Sequence, residues 1–265
     1  MSESIPHLLR NVDLGSVLAL ERLPDPRSVA YFSGSLVAGY GNSWSDLDVY
    51  VVGESVPIGP NVVKDRYTTI SIHYTSSRRV DFEFWTRAAT DRLADCLSRI
   101  EIGAAFADEY FSPTEEAFIH RLKIGFMPER NRKGLEGLQA KFDFEKFRMY
   151  LIQKSLRTAD HLVEDVSGMI ESGDFLQAVL TARPMIGAAV DAYCHWQGNT
   201  DPSTKWRLHH LRSVSCNLEQ SRIVEEFLDL MFPPQSLKSC EPIETKRYTD
   251  TSLRFVNRIA SLVQQ

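Results

Sequence analysis

The chain has 265 residues and carries 30 Lys and Arg against 35 Asp and Glu, a formal net charge of -5. Its 43% hydrophobic and 25% charged residues are ordinary for a globular protein and exclude collagen-like, disordered and coiled-coil chains. No apolar run reaches the about 18 residues of a membrane span, and the acidic balance argues against a nucleic-acid coat or an anionic-membrane binder, leaving small molecules, cationic ones above all, as easier partners.

Residues Met1–Arg10 lack a basic stretch followed by an apolar one, so no secretory leader is expected and the protein reads as cytoplasmic. Cys96, Cys194, Cys216 and Cys240 are far apart with no Cys-x-x-Cys, which favours reduced thiols over a zinc site or a disulfide framework.

In chain order, Leu14–Leu23 suggests a short helix stopped by Pro24 and Pro26. Ser28–Phe32 reads as a strand broken by Gly34-Ser35, and Leu36–Tyr40 as a short helix. Asp46–Val52 alternates and then turns fully apolar, the pattern of a largely buried strand. Gly53–Pro60 reads as a loop, Thr68–Tyr74 as a third strand and Val80–Trp85 as a fourth. In that last strand Val80, Phe82 and Phe84 face one way and Asp81 and Glu83 the other. Helical periodicity then takes over at Thr86–Arg99 and Thr114–Phe126.

Met127–Asn131 is a polar, proline-containing link, and the domain boundary is placed there: 1–127 and 128–265. Residues 136–195 read as helical, with Gly168 and Gly173 bracketing a turn and Pro184 inside a helix over Phe175–His195. A polar loop at 196–204 and helices at 219–232 and 250–264 complete the chain, without internal repeats.

One constellation carries chemistry. Gly34-Ser35 follows a strand, and Ser45-Asp46-Leu47-Asp48 opens the next, with Asp46 standing 12 residues after Gly34. Residues two apart on a strand share a face, so the Asp46 and Asp48 carboxylates repel each other unless a cation joins them. Magnesium suits this arrangement, since it takes oxygen ligands and fills its remaining positions with water and phosphate. Asp81 on a neighbouring strand could complete a cradle for two ions, which stabilise the attacking and leaving oxygens of an in-line displacement. Gly34 allows close approach of a phosphate to the backbone, and the Ser35 hydroxyl and the amides after it can bind a phosphate tail. Alone, an Asp-x-Asp pair or a Gly-Ser turn is common in proteins of every kind; the combination is the signal.

These residues, Gly34-Ser35…Ser45-Asp46-Leu47-Asp48…Val80-Asp81-Phe82, resemble the signature of the nucleotidyltransferase superfamily related to DNA polymerase β, and in flavour the bacterial aminoglycoside and other antibiotic nucleotidyltransferases. The match covers about residues 28–85, and the helical remainder is similar to the family's substrate-binding domain only in type. The resemblance implies an α+β fold, with an N-terminal mixed sheet and flanking helices followed by a C-terminal helical bundle. It implies that Gly34, Ser35 and Ser45 hold a nucleoside triphosphate. Asp46, Asp48 and Asp81 would be metal ligands and catalytic acids, with two Mg2+ ions bound. Glu83 is a fallback for Asp81 in drawing the proton from the acceptor hydroxyl. The implied reaction moves a nucleoside monophosphate, AMP from ATP, onto a hydroxyl of a small acceptor and releases pyrophosphate.

Weaker features surround this core. Lys154 and Lys205 are candidates to reach the triphosphate, with Trp206 read as a packing anchor. Glu145, Asp160, Glu164, Asp165 and Asp191 could meet a cationic acceptor, although each is ordinary as a solvated helix acid. His195, His209 and His210 have no third ligand at metal spacing, and Arg78-Arg79 could touch phosphate or cap a hairpin, of which the hairpin is the preferred reading. The alternatives are a nucleotidyltransferase acting on protein or tRNA, as in a toxin–antitoxin pair, and a non-catalytic binding protein of the same fold.

Overall fold

The alternating segments of the N-terminal half pair into one five-stranded mixed sheet. The computed structural model describes residues 6–57, 62–64, 68–75, 78–103, 110–128, 132–232 and 242–264. Residues 58–60 of the expected glycine- and proline-rich loop, 129–131 of the expected link, and Cys240 lie outside them. Two compact units divide the chain, Met1–Phe144 and Glu145–Gln265. The fold is α+β.

The first unit contains α1 (Leu14–Leu18), β1 (Val29–Ser33), α2 (Gly34–Ala38), β2 (Leu47–Gly53), β3 (Val62–Lys64), β4 (Thr69–Tyr74), β5 (Arg79–Thr86), α3 (Arg87–Arg99), α4 (Pro113–Lys123) and α5 (Arg132–Gln139). The sheet order is β1-β2-β5-β4-β3, with β2 and β5 parallel and the other pairs antiparallel. The central strands β2 and β5 are apolar because both sheet faces are covered there: Val49, Val51, Val52, Val80 and Phe82 are fully buried. The three-residue β3 was not anticipated, since so short and mostly exposed a segment shows no period.

Local sequence sets where α4 begins. Ser112 Oγ accepts from Glu115 N, and the Glu115 carboxylate accepts from Ser112 N at 2.8 Å, a capping box with Pro113 in the first turn. Three bonds then tie the far end of α4 and the residues after it to β1. Ser33 Oγ donates to Arg121 O at 2.7 Å, and Phe126 exchanges backbone bonds with Phe32 at 2.8 and 2.9 Å. These fastenings fix the direction in which the α4 side chains face the sheet.

The second unit is helical: α6 (Phe144–Glu171, entering from the first), α7 (Phe175–Trp196), a 3-10 turn at Thr204–Trp206, α8 (Arg207–Ser213), α9 (Leu218–Met231) and α10 (Pro242–Val263). Its core gathers around α7, where Ala182, Met185, Ile186, Ala189 and Val190 are completely buried. Three sequence expectations are corrected here. Helix α6 runs through Gly168, and the turn is confined to the residues around Gly173, whose φ is +80°. The 3-10 turn and α8 follow directly on the polar loop. Helix α10 begins at Pro242 rather than near 250, because its early buried face is hydroxylic rather than apolar. Thr249 Oγ1 donates to Thr245 O and Ser252 Oγ to Tyr248 O, so these residues satisfy their hydroxyls within the helix and bury without showing an apolar period.

At Gly34 φ is +81°, and a Cβ there would lie 1.8 Å from Asp48 Oδ2. Gly34→Ala should therefore lower stability by more than about 1 kcal/mol. Gly137→Ala, on α5 with open space around it, should be neutral or raise stability by about 0.5–1 kcal/mol. Thermal melts of the two variants check this contrast, and equal Tm values would contradict it.

Candidate active site

Strand register assembles one face of the sheet into rows. Ser33 pairs with Asp48, and Asp48 with Asp81, forming a polar row at one end. One step along the strands, Tyr31, Tyr50 and Glu83 form the next row, and Val29, Val52 and Trp85 the third. Alternation puts every second residue on this face, so the two aspartates the sequence placed on different strands come out side by side.

Helix α4 covers the apolar end of the face. Phe118 stacks on Trp85, with ring centroids 4.2 Å apart, and lies tilted against Tyr50 at 6.2 Å. Tyr31 stacks on Tyr50 at 5.5 Å. One turn beyond Phe118, Arg121 brings positive charge to Asp48, Tyr31 and Tyr50. Burial, with Glu83 close by, raises the hydroxyls of Tyr31 and Tyr50 well above their ordinary value, so both stay protonated.

Asp48 is the most perturbed acid of the cluster. Its carboxyl is pushed up to about 7 by burial, and then by the negative charges of Asp81, Glu83 and Asp46, against the opposing pull of Arg121. Asp46 precedes β2 and is 42% exposed, while Asp81 is only 17% exposed. Arg79 Nε and Nη2 each donate to Asp81 at 2.7 Å, and Arg79 Nη1 lies 3.9 Å from Asp46 Oδ2. Glu83 accepts from Trp85 Nε1 at 2.7 Å, and its negative charge acts on Tyr31 and Tyr50.

The Gly34–Ser45 loop is ordered by its own polar groups. Tyr40 N and Gly41 N donate to Ser35 O at 3.1 and 2.8 Å, and Trp44 N donates to Asn42 Oδ1 at 2.9 Å. Asn42 N donates to Ser45 Oγ at 2.9 Å, and Arg78 Nη1 to Ser45 O at 3.2 Å. Ser45 thus holds the loop in shape, and Ser35 sits half-buried beside Gly34. Arg78 closes the β4–β5 hairpin, its carbonyl accepting from Thr75 N at 2.8 Å, as the hairpin-cap reading expects. The role of Arg79 was missed. The signal was present in the Arg-x-Asp spacing of Arg79 and Asp81, which puts both side chains on one strand face.

The donor set fits a hard divalent cation in its chemistry: three carboxylates offering oxygen atoms only, with Asp48 buried beside the charges of Asp81 and Asp46. Among the described residues, however, no three His, Cys, Asp or Glu side chains stand gathered for a metal, and Asp81 faces Arg79.

No family model and no curated protein matches this chain. A solved structure, that of a nucleotidyltransferase-like protein from Exiguobacterium sibiricum 255-15, aligns with a TM-score of 0.47 and 11% identity over 97% of this chain and 74% of that one.

The remaining candidates lie in the second unit. Lys154 is half-buried on α6, and Lys205 is exposed with its ammonium 5.0 Å from the Trp206 ring centre. Two of the five acids considered for a cationic acceptor are paired with arginine: Glu145 with Arg148, and Asp191 with Arg207 through two bonds of 2.7 Å. Asp160, Glu164 and Asp165 are exposed on α6. His195 is buried and its Nδ1 contacts Asn199 O at 2.9 Å; burial holds it below its usual range and so neutral. His210 pairs with Asp201 at 3.3 Å, and Tyr193 is core.

The raised carboxyl of Asp48 has a stability consequence with a definite sign. Between its unfolded value of about 3.9 and about 7, the folded state holds the extra proton, so this residue lowers stability progressively as pH rises through that window. In EDTA, Asp48→Asn should melt close to the wild type at pH 4 and above it at pH 8, by on the order of 3 kcal/mol. Parallel Tm curves across that range would contradict the assignment.

Proposed function

We propose that the protein is a magnesium-dependent nucleotidyltransferase that moves AMP from ATP to a hydroxyl of a small acceptor and releases pyrophosphate. The observation that supports this most is the register pairing of Asp48 with Asp81 beside Gly34, with Asp46 two residues before Asp48. This arrangement concentrates carboxylate at the place where the sequence resemblance expects the triphosphate.

In this reading Asp46, Asp48 and Asp81 hold the magnesium ions. When bound, magnesium supplies charge neutralisation on the phosphates and on the departing pyrophosphate. The chain's own part is largely positioning, which in phosphoryl transfer accounts for much of the rate. The Gly34 backbone, lacking a side chain, admits the triphosphate, with Ser35 and the Ser45 loop beside it. Asp81 accepts the proton of the attacking hydroxyl, with Glu83 in reserve. Arg121 limits the repulsion among the acids. We assign acceptor recognition to the helical unit, with the exposed acids Asp160, Glu164 and Asp165 suited to a cationic molecule of aminoglycoside type, and Lys154 and Lys205 as candidate triphosphate contacts.

Asp46→Ala and Asp48→Ala should each reduce magnesium-dependent pyrophosphate release by at least a hundredfold while keeping the circular dichroism of the wild type. Full activity in either variant overturns the reading. A thermal-shift screen of ATP, GTP, CTP and UTP with magnesium, repeated with an antibiotic panel, identifies nucleotide and acceptor, because a ligand bound only by the folded state raises its Tm. Radiolabel from ATP appearing only on macromolecules of a lysate would replace the small acceptor with protein or RNA.

A further inference from the structure

We propose that Arg79 is the resident counter-cation of the carboxylate cluster: a divalent metal must displace it from Asp81, and its guanidinium then turns to the triphosphate. The inference rests on the nucleotidyl-transfer reading and deepens it. Three observations support it. Arg79 occupies both oxygens of Asp81 at 2.7 Å, a bidentate pairing that uses the lone pairs a hard cation would need. The same guanidinium stands 3.9 Å from Asp46, so a single cationic group reaches two of the three carboxylates Asp46, Asp48 and Asp81. It is also 39% exposed, at the first position of β5.

Its neighbours in the chain and in charge differ from it in this respect. Arg78 is tied to the Ser45 carbonyl, and Arg121 emerges from a helix fastened to β1. Arg79 directs both of its hydrogen bonds to Asp81 and stands 3.9 Å from Asp46. When a divalent cation takes those carboxylates, two positive groups compete for the same oxygens, and the guanidinium is expelled by like-charge repulsion. A nucleoside triphosphate arriving with the metal offers the displaced fork a new anionic partner of matching geometry. Binding of metal and of triphosphate is thereby coupled: the metal alone must break the Arg79–Asp81 pair, whereas the metal with triphosphate exchanges one partner for another.

The test measures manganese(II) binding to the full chain by the paramagnetic resonance of the free ion, for the wild type, Arg79→Gln and Arg79→Lys, with and without an ATP analogue whose α,β bridge cannot be cleaved. Melting curves in EDTA confirm that each variant folds, and Arg79→Lys keeps the charge if the neutral variant does not. Without nucleotide, Arg79→Gln should bind manganese about tenfold more tightly than the wild type, with Arg79→Lys between them because an ammonium cannot pair bidentately. The analogue should tighten manganese binding in the wild type and do so about tenfold less in Arg79→Gln. Equal manganese affinity in all three proteins overturns the role of Arg79 and leaves the carboxylate metal site standing. Tighter binding with undiminished coupling to the analogue overturns the exchange onto phosphate. Absence of manganese binding in every protein overturns this proposal and the metal-dependent function together.

Discussion

Three carboxylates brought to one end of a sheet repel one another, and much of the N-terminal unit is arranged around that repulsion. Asp48 sits beside Asp81 because β2 and β5 run parallel in a register that pairs them. The carboxylate of Asp48 fills the space above Gly34 that any other residue would need. Two arginines approach the cluster from different sides: Arg121 from the end of α4, acting on Asp48, and Arg79 from the start of β5, bound to Asp81. Burial above all, and then the neighbouring acids, push the Asp48 carboxyl up to about 7 despite Arg121.

The same face of the sheet changes character over three rows. The acidic row gives way to tyrosines and then to Val29, Val52 and Trp85, where Phe118 stacks. The gradient lets one helix serve two ends. At its apolar end α4 anchors the sheet through aromatic contact, and one turn later it delivers a guanidinium to the acids. The capping box at Ser112 and Glu115 and the bonds from β1 to Arg121 and Phe126 hold that helix in the register that makes both contacts. The placement of the Arg121 charge is therefore supported by packing some distance away from it.

In the second unit the polar groups are mostly spent on structure. Arg207 reaches Asp191 across Gly187, where a side chain would collide with the guanidinium. Arg148 caps the end of α7 through the carbonyls of His195 and Trp196. His195 and Asp201 pin the loop that follows. Acids and histidines that a sequence reader weighs as ligands are here the fastenings of a helix end, an inexpensive way to satisfy buried polar groups that would otherwise cost stability.

Much of the first unit was legible in the chain itself. Strand alternation, the Gly34-Ser35 break and the Asp46-x-Asp48 spacing depend on local periods of two residues, and local periods survive in any tertiary context. The elements that escaped include the edge strand Val62–Lys64, too short to show such a period, the seven-residue α8, and the early turns of α10, where buried Thr249 and Ser252 satisfy their hydroxyls within the helix and disguise a core face as a polar one. Sequence by itself determined that Asp46, Asp48 and Asp81 stand at the spacing of a carboxylate constellation and that Asp48 and Asp81 lie on strands, whereas Asp46 falls just before β2. Only the tertiary structure decided that Asp48 and Asp81 pair in register, that Asp81 is held by Arg79, and that Arg121 comes back from a distant helix, because each of these is a contact between segments whose separation no local pattern encodes.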